Sequence, residues 1–303
     1  MATDLTPPGA DPTRIHNIGY RKYDGQRLGR SYARRSLYSQ SLRGAYGLGR
    51  SAKSKVLPMI LFGVMVLVAA IIVAVAVAAP AGTMTKLPLS YTAFAITLQP
   101  VIGLYLASQA PQTVSRDLRF KTVPLYFSRP IERRDYVLAK YGAMASALFV
   151  LTAVPLVVLY AGALLAEFDF GAQTKGFGQG LVSVALLSVL FAGLGLVMAA
   201  LTPRRGFGVA AVIALFTISY GAVSTVQVIA YSQEATDAIS WLGLFSPATL
   251  IDGVQTAFLG ASSAYPGGYG PGAGAGVVHL LVVLALIAGS YAVLMRRYRK
   301  VGL

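Results

Sequence analysis

Six stretches of the chain contain no Asp, Glu, Lys or Arg, and the charges gather in the segments between them. The stretches are 56–79, 91–110, 141–166, 179–201, 207–231 and 277–295. Each is about the length that a helix rising 1.5 Å per residue needs to cross a hydrocarbon core of roughly 30 Å. The pattern predicts an all-α polytopic membrane protein with six transmembrane helices. Pro100 in the second stretch and Pro155 in the third each remove a backbone donor, which favours a kink.

The basic residues orient the bundle. Six crossings put both termini on one side, and that side receives 24 of the 26 Lys and Arg: 11 before residue 56, seven over 111–140, two at Arg204 and Arg205 and four after Met295. The other side receives Lys86 and Lys175. Positive residues concentrate on the cytoplasmic face, so both termini are expected there, in a bacterial plasma membrane. The formal net charge of +15 then serves topology and contact with anionic lipid, and nucleic-acid binding is not expected. The first apolar stretch comes too late for a secretory signal, so it reads as an uncleaved span. With no cysteine in the chain, disulfides, thiolate metal sites and a Cys nucleophile are excluded.

Outside the spans, 1–13 reads as a disordered tail. Residues 14–55 form a basic cytoplasmic segment, in which Leu28, Tyr32, Leu37, Tyr38, Leu42 and Tyr46 recur at loosely helical spacing, a candidate interfacial helix. The membrane domain covers 56–295, and 296–303 is a basic cytoplasmic tail. Between spans five and six, Ser246-Pro247 is a helix-start signal and Gly260 a stop. Leu250, Val254 and Phe258 stripe one face of that segment, with Asp252 and Gln255 off it. Too short to span, it is expected as an outer re-entrant or interfacial helix, followed by a flexible connector over 262–276.

The most specific segment lies between spans two and three, QTVSRDLRFKTVPLYFSRPIERRDYVLAK over 112–140. Its first half suits a short amphipathic helix with Val114 and Leu118 on one face, limited by Pro124. The second half restarts at Ser128-Arg129-Pro130. Asp117, the run Leu125-Tyr126-Phe127-Ser128-Arg129-Pro130-Ile131, then Arg134, Tyr136 and Lys140 resemble the ABC-2 type permeases, the membrane subunits of ATP-binding cassette transporters, particularly the actinobacterial ones. Glu132 stands where that family more often has a small polar residue. The six-span layout and the outer Ser-Pro-Ala helix after Trp241 extend the resemblance over most of the chain.

The resemblance implies a cytoplasmic coupling helix seated in a groove of a partner ATPase. Two permeases and two ATP-binding subunits would make the complex, the second permease being another copy or a sister subunit. Arg116, Asp117, Arg119 and Phe120 would contact the ATPase, and Arg129, Pro130 and Arg133 would shape the elbow. ATP and Mg would belong to the partner, because this chain has no Gly-x-x-x-x-Gly-Lys-Ser/Thr run. It is not expected to be an enzyme itself. The spans lack the charged residue through which ion-driven carriers usually couple, so energy is expected from outside the bilayer.

The function expected is export of an amphipathic or hydrophobic substrate. The alternatives are an ion- or proton-coupled carrier and a non-transporting membrane anchor. A substrate path is sought in the second span, at Gln99, Tyr105 and Gln109. Other polar residues of the spans, such as Thr152, Ser183, Ser188 and Gln227, suit helix-to-helix hydrogen bonds. His16 and His279 have no companion at ligand spacing, and no metal site is expected.

Overall fold

The computed structural model describes residues 25, 28–80, 83–120, 126, 131–202 and 205–301. Every regular element among them is helical: α1 Arg30–Ala45, α2 Ala52–Ala78, α3 Tyr91–Thr97, α4 Gln99–Ala110, α5 Arg116–Arg119, α6 Arg133–Leu165, α7 Phe170–Leu201, α8 Arg205–Ile213, α9 Ser219–Ser232, α10 Thr236–Leu242, α11 Pro247–Leu259 and α12 Ala273–Val301. Among the described residues five helices are long and apolar enough to cross a membrane: α2, α6, α7, α12 and the combined Gly206–Ser232. The second charge-free stretch differs. It is a bent pair, Tyr91–Thr97 and Gln99–Arg119, meeting at 56°.

That bend has a local cause. Leu98 leaves the helical region at φ −93°, ψ 16°, and Pro100 stands in the first turn of the helix that follows, where its missing N–H costs nothing. Pro155 has the opposite outcome, since α6 runs unbroken through it. Two π turns interrupt other helices. Pro111–Ser115 joins α4 to α5, starting at a residue that cannot donate, and Ala214–Ile218 joins α8 to α9.

Contacts between the helices order them up and down. At the basic end, the rings of Tyr136 near the start of α6 and Tyr298 near the end of α12 lie 5.0 Å apart, and Ser115 donates to the carbonyl of Ala199 near the end of α7. At the far end, Tyr91 at the start of α3 donates to Gln173 at the start of α7, 2.8 Å away. Close approach there depends on missing side chains. A Cβ at Gly162 of α6 would strike Val73 of α2, the small-residue contact by which apolar helices pack when lipid is as apolar as they are.

α1 is placed by polar anchors as well as by packing. Tyr38 donates to Ser146 Oγ and Tyr46 to the Ala147 carbonyl, both at 2.7 Å. Leu37 and Ala45 are buried, whereas Leu28 and Tyr32 are exposed. Only the later part of the aromatic and Leu stripe therefore meets protein. At the other terminus, α12 continues to Val301.

α11 begins after Ser246 and ends at Gly260, whose φ of 61° is the left-handed cap glycine adopts freely. It packs inside the bundle against α7, α12 and α3. Leu250, Ile251 and Val254 are buried on it, Phe258 is exposed, and Asp252 and Gln255 are buried too.

Candidate functional site: the elbow at the basic end

α4, the π turn and α5 carry the chain out of the bundle, and α6 carries it back. The start of α6 is built by a reciprocal cap: the Glu132 side chain accepts from the third helical residue, and Asp135 accepts from the Glu132 backbone at 3.2 Å. Arg30 of α1 then clamps this cap. Its Nε lies 2.7 Å from Asp135 Oδ2, and its Nη1 contacts Glu132. Arg34 adds a longer contact to Asp135 at 3.8 Å, and Arg134 holds Glu132 at 2.7 Å. The Arg30 guanidinium holds the Glu132 carboxyl below its ordinary range.

Asp117 ties the outgoing arm to the incoming one. Tyr136 donates to its Oδ2 at 2.6 Å, and Lys140 Nζ lies 3.0 Å from the same oxygen. Lys140 also donates to the Thr113 carbonyl at 3.1 Å. The Tyr136 ring packs against Tyr126 and Tyr298, with centroids 5.4 and 5.0 Å away, and the Lys140 ammonium lies over that ring at 5.5 Å. Three residues that the sequence separates by up to 23 positions thus share one carboxylate oxygen. The π turn, α5, α6 and α12 are locked together there.

The other expected contact residues lie differently. Arg116, Arg119 and Phe120 are exposed, whereas Asp117 and Leu118 are half-buried. Arg119 sits 5.8 Å from the Phe120 ring. Arg133 opens α6. Arg129, Pro130 and the restart expected at Ser128 lie outside the described residues.

The three residues of the expected substrate path each donate a hydrogen bond inside the bundle. Gln99 is fully buried and donates at 2.7 Å to the Phe216 carbonyl, inside the second π turn. Tyr105 donates to the Ala45 carbonyl at 3.0 Å. Gln109 bonds Ser108, and of the three it is the one bordering a cavity of about 700 Å³ at the basic end.

Two features escaped sequence reasoning. The first is the Arg30 clamp, which joins positions 105 residues apart and leaves no mark on periodicity. The second is Asp252, which is 1% exposed. It accepts from Gln255 Nε2 at 2.8 Å, from the Ala264 backbone at 2.9 Å and from Ser263 at 3.3 Å. Gln255 in turn accepts from Ser183 of α7 at 2.6 Å. Burial pushes the Asp252 carboxyl up. An acid followed three residues later by Gln on an otherwise apolar segment was the available signal. No family model matches the chain, and no curated protein matches it.

Proposed function

We propose that the chain is the permease subunit of an ATP-binding cassette exporter, with six spans, both termini cytoplasmic and the inner elbow seated on a partner ATPase. The observation that carries this reading is the Asp117–Tyr136–Lys140 lock. A loop that only held topology would need no such tie. A loop that receives force needs to be stiff and joined to the spans it moves. Asp117 is then a positioning residue, and the exposed Arg116, Arg119 and Phe120 are the surface offered to the partner. The substrate is amphipathic or hydrophobic, because the spans carry no charged residue to receive a strongly polar one.

The test is purification of the tagged chain from its native membrane. The expected result is a complex that hydrolyses ATP, and loss of both partner and hydrolysis when Arg119→Glu and Phe120→Ala are combined in a chain that still inserts. A wild-type preparation without ATPase activity would overturn the reading.

Asp252 favours a second reading, an ion- or proton-coupled carrier, because a carboxylate is buried among the helices after all. Collapsing the membrane gradients at constant ATP separates the two: transport by the exporter persists, and transport by the carrier stops.

A further inference from the structure

The cavity of about 700 Å³ at the basic end lies where the start of α2 faces the end of α4, the π turn and α5. Among the described residues four cationic side chains line it, Arg50, Lys53, Arg116 and Arg119, and no Asp or Glu does. Among the described residues none of the four forms an ion pair. Asp117 is near enough to act on Arg50, but its carboxylate is already taken by Lys140 and Tyr136. Crowded like charges with no counterion raise the energy of the empty site, and an anion lowers it.

Two further observations indicate the kind of anion. Arg50 is held in place by donating to Gln112 at 2.7 Å. Burial, followed by the like charge of Arg116, pushes its guanidinium below the usual range. The 27-residue helix α2 also starts at the cavity, where Ser51 makes no side-chain cap and the first turn has no acid. Its positive end is therefore unanswered, an arrangement that suits phosphate. Beside the cations, Leu57 and Phe120 border the same cavity and are both exposed. A polar, cationic chamber with an apolar lip at the end of a membrane-length helix fits a headgroup whose tail continues into lipid.

We propose that this cavity binds the phosphate of an anionic amphiphile, the charged head in the chamber and the tail along α2. The proposal needs α2 to lie in a membrane but does not rest on the transport reading; Arg116, Arg119 and Phe120 are shared with the surface offered to the partner there, so the test alters Arg50 and Lys53 alone.

The full-length protein is tested in nanodiscs of phosphatidylcholine with and without phosphatidylglycerol, counting retained phosphatidylglycerol by native mass spectrometry. A second arm adds inorganic phosphate to protein in neutral detergent and reads the thermal shift. The neutral pair Arg50→Gln/Lys53→Gln is expected to lose phosphatidylglycerol affinity by about tenfold or more. The charge-keeping pair Arg50→Lys/Lys53→Arg is expected to stay within about threefold of wild type, since the field of the chamber is kept. A shift with inorganic phosphate that the neutral pair abolishes would assign the site to the phosphate group alone. Retention of phosphatidylglycerol without that shift would assign it to the lipid headgroup. Equal binding by wild type and the neutral pair in both arms would overturn the proposal, as would equal loss in the charge-keeping pair.

Discussion

Lys140 and Asp117 meet at 3.0 Å with side chains only 11% and 17% exposed, an ion pair between the arm that leaves the bundle and the helix that re-enters it. Removing one partner of a buried pair strands the other charge. Lys140→Met is therefore expected to destabilise the protein by about 2–4 kcal/mol, less than the full penalty because Tyr136 still donates to Asp117. Pairing it with Asp117→Asn should recover part of the loss, since neither charge is then stranded. Thermal unfolding in detergent measures both, and an unchanged midpoint for Lys140→Met would count against the lock.

Tyr136→Phe keeps the ring among Tyr126 and Tyr298 but removes the 2.6 Å bond to Asp117. A hydrogen bond to a charged group contributes about 1.5–3 kcal/mol. The loss should appear in stability, and under the exporter reading also as ATP hydrolysis that continues with less transport.

The clamp of Arg30 on Glu132 should respond to acid. Arg30 lowers the Glu132 carboxyl from its ordinary 4.5, so the stability it contributes is present above that value and is lost as pH falls through the lower folded value. Backbone amides of Arg30–Ala45 should lose hydrogen-exchange protection on acidification below about pH 4. In Glu132→Gln that loss should be smaller.

Asp252 has the opposite sign. Its carboxyl is raised by burial, so the protonated form favours the fold and stability falls as pH rises above the ordinary 3.8. The wild type should lose stability relative to Asp252→Asn as pH rises from about 4. Asp252→Ala should cost about 1–3 kcal/mol by leaving Gln255 and the Ala264 N–H short of an acceptor. Midpoints across a pH series decide this.

The absence of cysteine permits a direct test of orientation. Single changes Glu167→Cys and Arg299→Cys place thiols at opposite ends of α6 and α12. An impermeant thiol reagent applied to whole cells should label the first, and the second only after permeabilisation. Labelling in the reverse order would invert the topology.

The helices themselves were legible along the chain, because hydropathy and end signals are local. A charge-free run must be satisfied by its own backbone bonds, and Ser246-Pro247 with Gly260 marks α11 to the residue. The chain also showed Asp117, Tyr136 and Lys140 as residues of interest. It could not show that they converge on one oxygen, nor that Gln99 is occupied by a π turn 117 residues away.

Two prolines illustrate the limit. Pro100 stands just after the break at Leu98, whereas Pro155 lies within a continuous helix, although each lacks the same N–H. What differs is where each falls: Pro100 sits in a first turn, where no backbone bond is lost, and Pro155 in a helix interior, where one is. Asp252 makes the same point: polar on the helix, it is buried because other elements close over it, and Ser263 and the Ala264 backbone from the following loop join Gln255 of its own helix as donors. Segment type follows from short-range composition and backbone chemistry, whereas partner choice follows from pairwise contacts between distant residues, which exist only once the helices have packed.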